Sequence, residues 1–297
     1  MRDRGPSPSG SHEQLLVCGW DDIGIWELSP AAETLPHKIW TWRAQNRADI
    51  PTDLWELFRP TAECKPYESG RKILMTSSGG AVALIDREQD RVVFYARAAN
   101  AHSADLLPHN RLAVACSHRP DGSGDRVLLF DLAVSDRVCF STEVPWAHGV
   151  VWDADRQRVY VLAKEDLRVY ALVNWASATP QLALLATMPF PDAGHHTVEC
   201  GHDLYAVPGT AWLSVTTEWA CWYFDRDTQT FLPHSAVSDL PYMKSLTHHP
   251  HGGTFVYVQA EAPNWWAERI HVRNPDRVMY VPGEHFYKAR WNVQTAE

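Results

Sequence analysis

Apolar residues come along this chain in short runs, rich in β-branched and aromatic side chains, each closed by a turn-forming cluster. KILMTS (72–77), AVALID (81–86) and RVVFYAR (91–97) are separated only by Ser78-Gly79-Gly80 and by Arg87-Glu88-Gln89-Asp90. The next group is the clearest, with strands expected over 102–107, 111–117, 126–132 and 137–142, and tight turns at Pro108-His109-Asn110 and Ser135-Asp136. Similar groups of four follow over 148–188, 202–233 and 244–281. The second run of each group is apolar throughout instead of alternating, as in strands packed on both faces. The pattern predicts an all-β chain whose only helix is a short one at 53–58, after Pro51, with Thr52 as its N-cap.

The groups repeat. A histidine or lysine opens the first strand of each: Lys65, His102, His148, His202, Lys244 and Lys288, at intervals of 37, 46, 54, 42 and 44 residues. Four short strands in a period of that length predict a β-propeller, here with six blades. The first group, 15–20, 24–28 and 38–43, has three strands. Its missing inner strand is expected at 287–292, so that the C-terminal strand closes the first blade and covers two otherwise bare edges. Residues 15–297 then form a single propeller domain after a disordered 1–14 segment.

If the six marked residues open the innermost strands, they ring the central channel, three histidines facing three lysines. The longer connections, 44–63, 118–125, 189–201 and 261–268, fall on the same face and carry Trp55, Phe58, His118, His195, His196, Glu261, Trp265 and Trp266. Long loops on a rigid scaffold are where function concentrates. Lys65, Lys244 and Lys288, with Arg290 nearby, are expected to hold a carboxylate, phosphate or enolate. His102, His148 and His202 are expected to act as acid and base near neutral pH, or alternatively to bind a divalent metal through three imidazoles. Tyr287 is a second acid–base candidate beside Lys288, Glu218 and Glu261 are candidate carboxylates, and Trp219 and Trp265 are candidate sugar-stacking rings. The competing reading is that the histidines are hydrogen-bonded within their blades, as the Gly-His pairs of WD-repeat propellers are. Against it, no WD dipeptide closes the third strands, which end Ile85-Asp86, Phe130-Asp131 and Phe224-Asp225. Lysine also has no lone pair with which to continue such a network.

Composition narrows the classes. A net charge of −9 argues against a nucleic-acid partner. No stretch approaches a membrane span, and residues 1–14 lack the apolar core of a secretory signal. Six cysteines without CxxC spacing read as reduced thiols of a cytoplasmic protein, and Cys64 and Cys200, beside the ring, have no base of their own. Fourteen tryptophans suit blade packing or a carbohydrate-facing surface. Nucleotide, nicotinamide and serine-hydrolase signatures are absent.

The chain resembles six-bladed propeller enzymes such as lactonases, strictosidine-synthase-like proteins and streptogramin-lyase-like proteins, over nearly its whole length but at the level of architecture. It is more similar to a functionally uncharacterised family of bacterial propeller proteins through Cys18-Gly19-Trp20-Asp21, Ala101-His102-Ser103-Ala104, AHGVVWD (147–153), Asn264-Trp265-Trp266 and YKARW (287–291). Propeller lyases of uronates use channel-mouth histidines, sometimes with a metal, and basic residues for the sugar carboxylate. The resemblance therefore implies a lyase on a uronic-acid saccharide or another small anionic substrate. A cyclase or isomerase of a secondary metabolite and a non-catalytic binding or scaffold propeller are the alternatives.

Overall fold

The computed structural model describes residues 13–28, 36–191 and 201–293. Residues 1–12 of the N-terminal segment expected to be disordered lie outside the described residues, as do His195, His196 and Cys200. The described residues form six four-stranded antiparallel sheets, the blades of a six-bladed β-propeller. The first blade contains β1 (Gln14–Gly19), β2 (Asp22–Glu27) and β3 (His37–Trp42). The second runs from β4 (Thr61–Tyr67) through β5 (Lys72–Ser77) and β6 (Ala81–Asp86) to β7 (Arg91–Arg97). The third and fourth start with β8 (Ala101–Leu107) and β9 (Arg111–Cys116), and with β12 (Gly149–Asp153) and β13 (Arg158–Leu162). The fifth and sixth start with β16 (Gly201–Ala206) and β17 (Trp212–Thr217), and with β20 (Met243–His248) and β21 (Phe255–Gln259). The last strand, β24 (Lys288–Trp291), pairs with β1 and completes the first blade from the opposite end of the chain.

The strand ends have a local cause. Asp86, Asp131 and Asp225 each accept a backbone N–H from two or three residues ahead, Gln89, Ala133 and Asp227, at 3.0, 3.0 and 2.8 Å. These aspartate turns stop the third strand and start the reversal, which explains the repeated apolar-Asp ending. Gly79 is needed for a different reason. A Cβ there would lie 2.1 Å from the Arg59 carbonyl oxygen, so only glycine lets this turn pass under the preceding loop.

The core lies between blades. Both faces of β5, β6 and β9 are buried, so their apolar runs pack on two neighbours at once. The expected short helix is a 3₁₀ stretch, Thr52–Phe58, preceded by Pro51 and without a side-chain cap, so Thr52 does not cap it. It drops Leu54 and Phe58 into the seam between the first two blades, where Phe58 meets Trp42 edge-on at 5.9 Å. No helix among the described residues is long and apolar enough to cross a membrane.

Closure through β24 means that the whole ring depends on one short strand. A chain ending at Tyr287 should lose its single cooperative thermal transition, because β1 then carries an unpaired inner edge. Calorimetry on that truncation, beside the full chain, measures this. A sharp transition at the full-length temperature would contradict it.

Candidate functional site

A repeated backbone device sets the inner ring. In β8, β16 and β20 the pairing with the next strand slips by one residue, and the extra residues are His102, His202 and Lys244. A β-bulge of this kind re-aims one side chain without ending the strand. Two residues before His102, His148 and Lys244 the chain takes a left-handed conformation, at Asn100, Trp146 and Tyr242 (φ 50, 52 and 61°). In the fourth blade His148 lies just ahead of β12, its N–H donating to the Leu162 carbonyl opposite Gly149.

Applied to the other two blades, the same device corrects the expected ring. The bulge in β4 falls at Ala62, not Lys65. In the first blade the N–H of Tyr287, not of Lys288, donates to the carbonyl of Cys18, the residue opposite Lys288. The ring is therefore Tyr287, Ala62, His102, His148, His202 and Lys244. All six border one cavity of about 330 Å³ on the propeller axis, together with residues that include Asn100, Ser117, Trp146 and Trp265. The strand β5 begins ten residues after Ala62, as β13 and β17 begin ten after His148 and His202. Counting back from the second strand would have found Ala62 in the sequence.

Lys65, Lys288 and Arg290, expected to bind substrate, lie beneath the cavity and are nearly or fully buried. One residue below the ring, Lys288 Nζ sits 3.1 Å from Asp203 Oδ1 and 3.4 Å from Glu63 Oε2. Two residues further on, the Arg290 fork reaches both carboxylates, at 2.8 and 3.0 Å to Glu63 and 2.6 and 2.8 Å to Asp203. At the same level Lys65 Nζ donates to the Val150 carbonyl at 2.7 Å and lies 3.7 Å from Asp105. Burial alone would raise the Glu63 and Asp203 carboxyls; the Arg290 and Lys288 charges outweigh it and hold both below the ordinary range. Three cations are thus balanced by Glu63, Asp203 and Asp105, which the sequence reading missed, and together they form a charged plug that floors the pit.

The pit wall is different. The three imidazoles converge, with ring centres 4.1 Å apart for His102 and His148 and 5.6 Å apart for His148 and His202. The Asn100 amide donates to the His118 carbonyl at 2.8 Å, which leaves its oxygen to accept from His102 Nε2 at 3.0 Å. His102 Nδ1 is then the acceptor for the Tyr287 hydroxyl, 3.3 Å away. His148 Nδ1 lies 3.2 Å from the Trp146 carbonyl, which can only accept, and 3.1 Å from the Ser117 hydroxyl, which can donate or accept; with hydrogen on Nδ1 both contacts are satisfied and Nε2 carries the basic lone pair. His202 Nε2 makes a short contact with Glu218, and Lys244 Nζ lies 2.9 Å from the same nitrogen and 3.3 Å from Glu218. A proton between Nε2 and the carboxylate leaves His202 Nδ1 as a buried acceptor without a partner.

Burial, helped by the charges of Lys288, His202 and Lys244, pushes His102 well below the usual histidine range. Burial and the neighbouring His102 and His202 do the same to His148. Burial and Lys244 bring His202 down to about 4, against the opposing pull of Glu218. Glu218 would rise with burial, but hydrogen bonding from His202 and the nearby positive charges hold it at about 2. At neutral pH the wall carries three neutral imidazoles and one ionised carboxylate.

The remaining candidates divide. Trp265 borders the cavity and meets Tyr287 edge-on at 5.4 Å. Trp219 packs into the seam around Leu213 and Phe224, and Glu261 forms a surface pair with Arg269 at 2.7 Å, so neither belongs to the pit. Among the described residues no group of three or more His, Cys, Asp or Glu side chains is placed to hold a metal ion. One nitrogen of each ring meets Asn100, Trp146 or Glu218.

The fold and the pit define a six-bladed β-propeller with a histidine-lined mouth above a charged floor. The chain belongs to DUF6528, a family of unknown function, whose profile matches residues 30–296. No curated protein matches the sequence. Among solved structures it is similar to Kuenenia stuttgartiensis hydrazine synthase, at 14% identity and a TM-score of 0.52, over 81% of this chain and 69% of that one. At such identity the likeness is one of fold.

Removing Arg290 would strand two buried carboxylates. Arg290→Met should lower the unfolding free energy by about 3–5 kcal/mol, read from urea titration. Arg290→Lys should recover little of it, because one ammonium cannot engage both carboxylates bidentately. Near-wild-type stability of either variant would contradict the plug.

Proposed function

We propose that the pit binds a small anionic substrate and transfers protons on it, and that its reaction is a lyase cleavage of a uronic-acid saccharide. The observation that carries this reading is the buried, neutral His148 on the cavity wall. Its Nδ1 meets the Trp146 carbonyl and the Ser117 hydroxyl, its neutral form is favoured by burial, and the ring stands among two other imidazoles on a cavity wall. An imidazole so oriented is a general base. Lys244, set beside His202 and Glu218, supplies the cation for a substrate carboxylate and stabilises negative charge developing next to it.

In the proposed step His148 Nε2 takes the proton from the carbon beside the carboxylate. The C–H electron pair forms a carbon–carbon double bond as the neighbouring C–O bond breaks. The leaving oxygen takes the proton of the Tyr287 hydroxyl, which water restores once the product has left. The products are an unsaturated uronate and a free hydroxyl, and the proton count balances. The aromatic wall of Trp146, Trp265 and Tyr287 also favours a second reading, a cyclase or isomerase of a ring-bearing metabolite. A non-catalytic binding propeller is the third, and the convergence of the rings on the axis counts against its blade-internal version.

The test is ultraviolet detection of a conjugated product from a panel of uronate oligosaccharides. Wild-type protein should form it, and His148→Ala should lower kcat by about 10²–10⁴. Lys244→Ala should raise KM and lower kcat together. Binding of a panel member with no product, or product formation unaffected by His148→Ala, would reject the mechanism.

The pH profile has a definite sign. The base works when neutral, and both His148 and His202 are held below the ordinary value of 6.5. The rate should therefore stay level as pH falls through 6.5 and decline only well below it. An acid limb centred on 6.5 would show that no buried imidazole limits the rate.

A further inference from the structure

The pit has a floor. Lys288 and Arg290 with Glu63 and Asp203 close the channel directly under the ring, and the six wall residues come one from each blade. A polymer cannot lie across such a pit as it lies in a cleft. Only an end of it can enter. At about 330 Å³ the cavity is near the lower limit for a small-molecule site.

Outside the ring stands a second feature that the reaction does not use. Trp20 occupies the turn between β1 and β2 in a left-handed conformation (φ 58°), an uncommon backbone state for so bulky a residue. Its neighbours hold it there. A Cβ on Gly19 would lie 1.7 Å from the His285 carbonyl oxygen, so glycine alone allows the close crossing that precedes Trp20. On the other side the Trp20 carbonyl accepts the Thr61 N–H at 2.7 Å, and the Thr61 hydroxyl oxygen accepts the Gly19 N–H at 2.7 Å. Thr61 itself borders the pit. The Trp20 indole stacks on Trp265 at 5.8 Å with 19° between planes and leans on His285 at 4.9 Å. Although held on several sides, Trp20 and Trp265 remain 44% and 40% exposed. Two rigid indoles thus lead from open solvent to the wall of the pit.

We infer that Trp20 and Trp265 form an outer sugar-binding subsite, and that the protein takes the end of a saccharide chain. The terminal unit occupies the pit and the next unit stacks on the shelf. This rests on the reading of the pit as a saccharide site. A pyranose fits the shelf because its C–H face packs on an indole while its hydroxyls stay in water. The hydroxyl and amide groups of Thr61, Ser78, Asn100 and Ser117 around the pit suit a hydroxyl-bearing unit inside. Trp20 is here a positioning residue, since it touches the second unit and not the reacting one.

Calorimetry in a His148→Ala background, which slows turnover, tests this with the monomer, dimer and trimer of galacturonate, glucuronate and mannuronate. For the uronate that binds, the dimer should bind about tenfold tighter than the monomer, and the trimer no tighter than the dimer. Adding Trp20→Ala should bring the dimer to the monomer's Kd and leave the monomer's Kd unchanged, while Trp20→Phe should keep most of the gain. Equal affinities for monomer and dimer, or equal weakening of both by Trp20→Ala, would overturn the subsite and leave the pit reading standing. Absence of binding by every uronate, also in the unsubstituted protein, would overturn both.

Discussion

The guanidinium of Arg290 is the contact on which the rest of this molecule depends. It comes from the last strand, is fully buried, and grips Glu63 of the second blade and Asp203 of the fifth across the axis. Planar, bidentate pairing to two carboxylates is something only arginine supplies. The same strand closes the first blade, so closure of the ring and neutralisation of its interior are one event. With Lys288 and Lys65 set against Glu63, Asp203 and Asp105, the channel becomes a solid post instead of a pore, and the cavity above it becomes a pit.

That post also shapes the chemistry above it. Positive charge just below the ring and burial within it both oppose a proton on His102 and His148. The imidazoles stay neutral where an exposed histidine would titrate, and the Asn100 oxygen places the hydrogen of His102 on Nε2. A ring of histidines over buried cations is thus a set of imidazoles held neutral at neutral pH. Only Lys244, of the lysines first placed in the ring, reaches the wall, where Glu218 balances it.

Much of this was legible in the sequence because it follows from period and pattern. Apolar runs marked the strands, the repeat marked six blades, and the missing strand of the first group matched YKARW at the far end. His102, His148, His202 and Lys244 were legible because each opens its strand with a titratable side chain. Lys65 and Lys288 were misplaced for the complementary reason. The second blade has alanine at the ring position, and a reading by His or Lys slid three residues to the next basic one, Lys65. In the first blade it stepped past Tyr287 to its neighbour. A bulge adds one residue without changing composition, so only the distance to the following strand reveals it. Glu63 and Asp203 were passed over because a carboxylate at a strand start reads as solvated until an arginine from the other end of the chain is placed on top of it. Glu261 and Trp219 had the right face but not the right radius, and radius is set by tertiary packing.

The most direct measurement of the central claim is the nitrogen-15 spectrum of ring-labelled histidine as pH is lowered, with His148 assigned by substitution. The account predicts that His148 keeps a neutral ring with hydrogen on Nδ1 from neutral pH down through 6.5, the value about which an ordinary histidine titrates. A His148 that exchanges between tautomers at neutral pH and protonates near 6.5 would contradict it, because neither the Trp146 carbonyl nor the buried cations would then be setting its state.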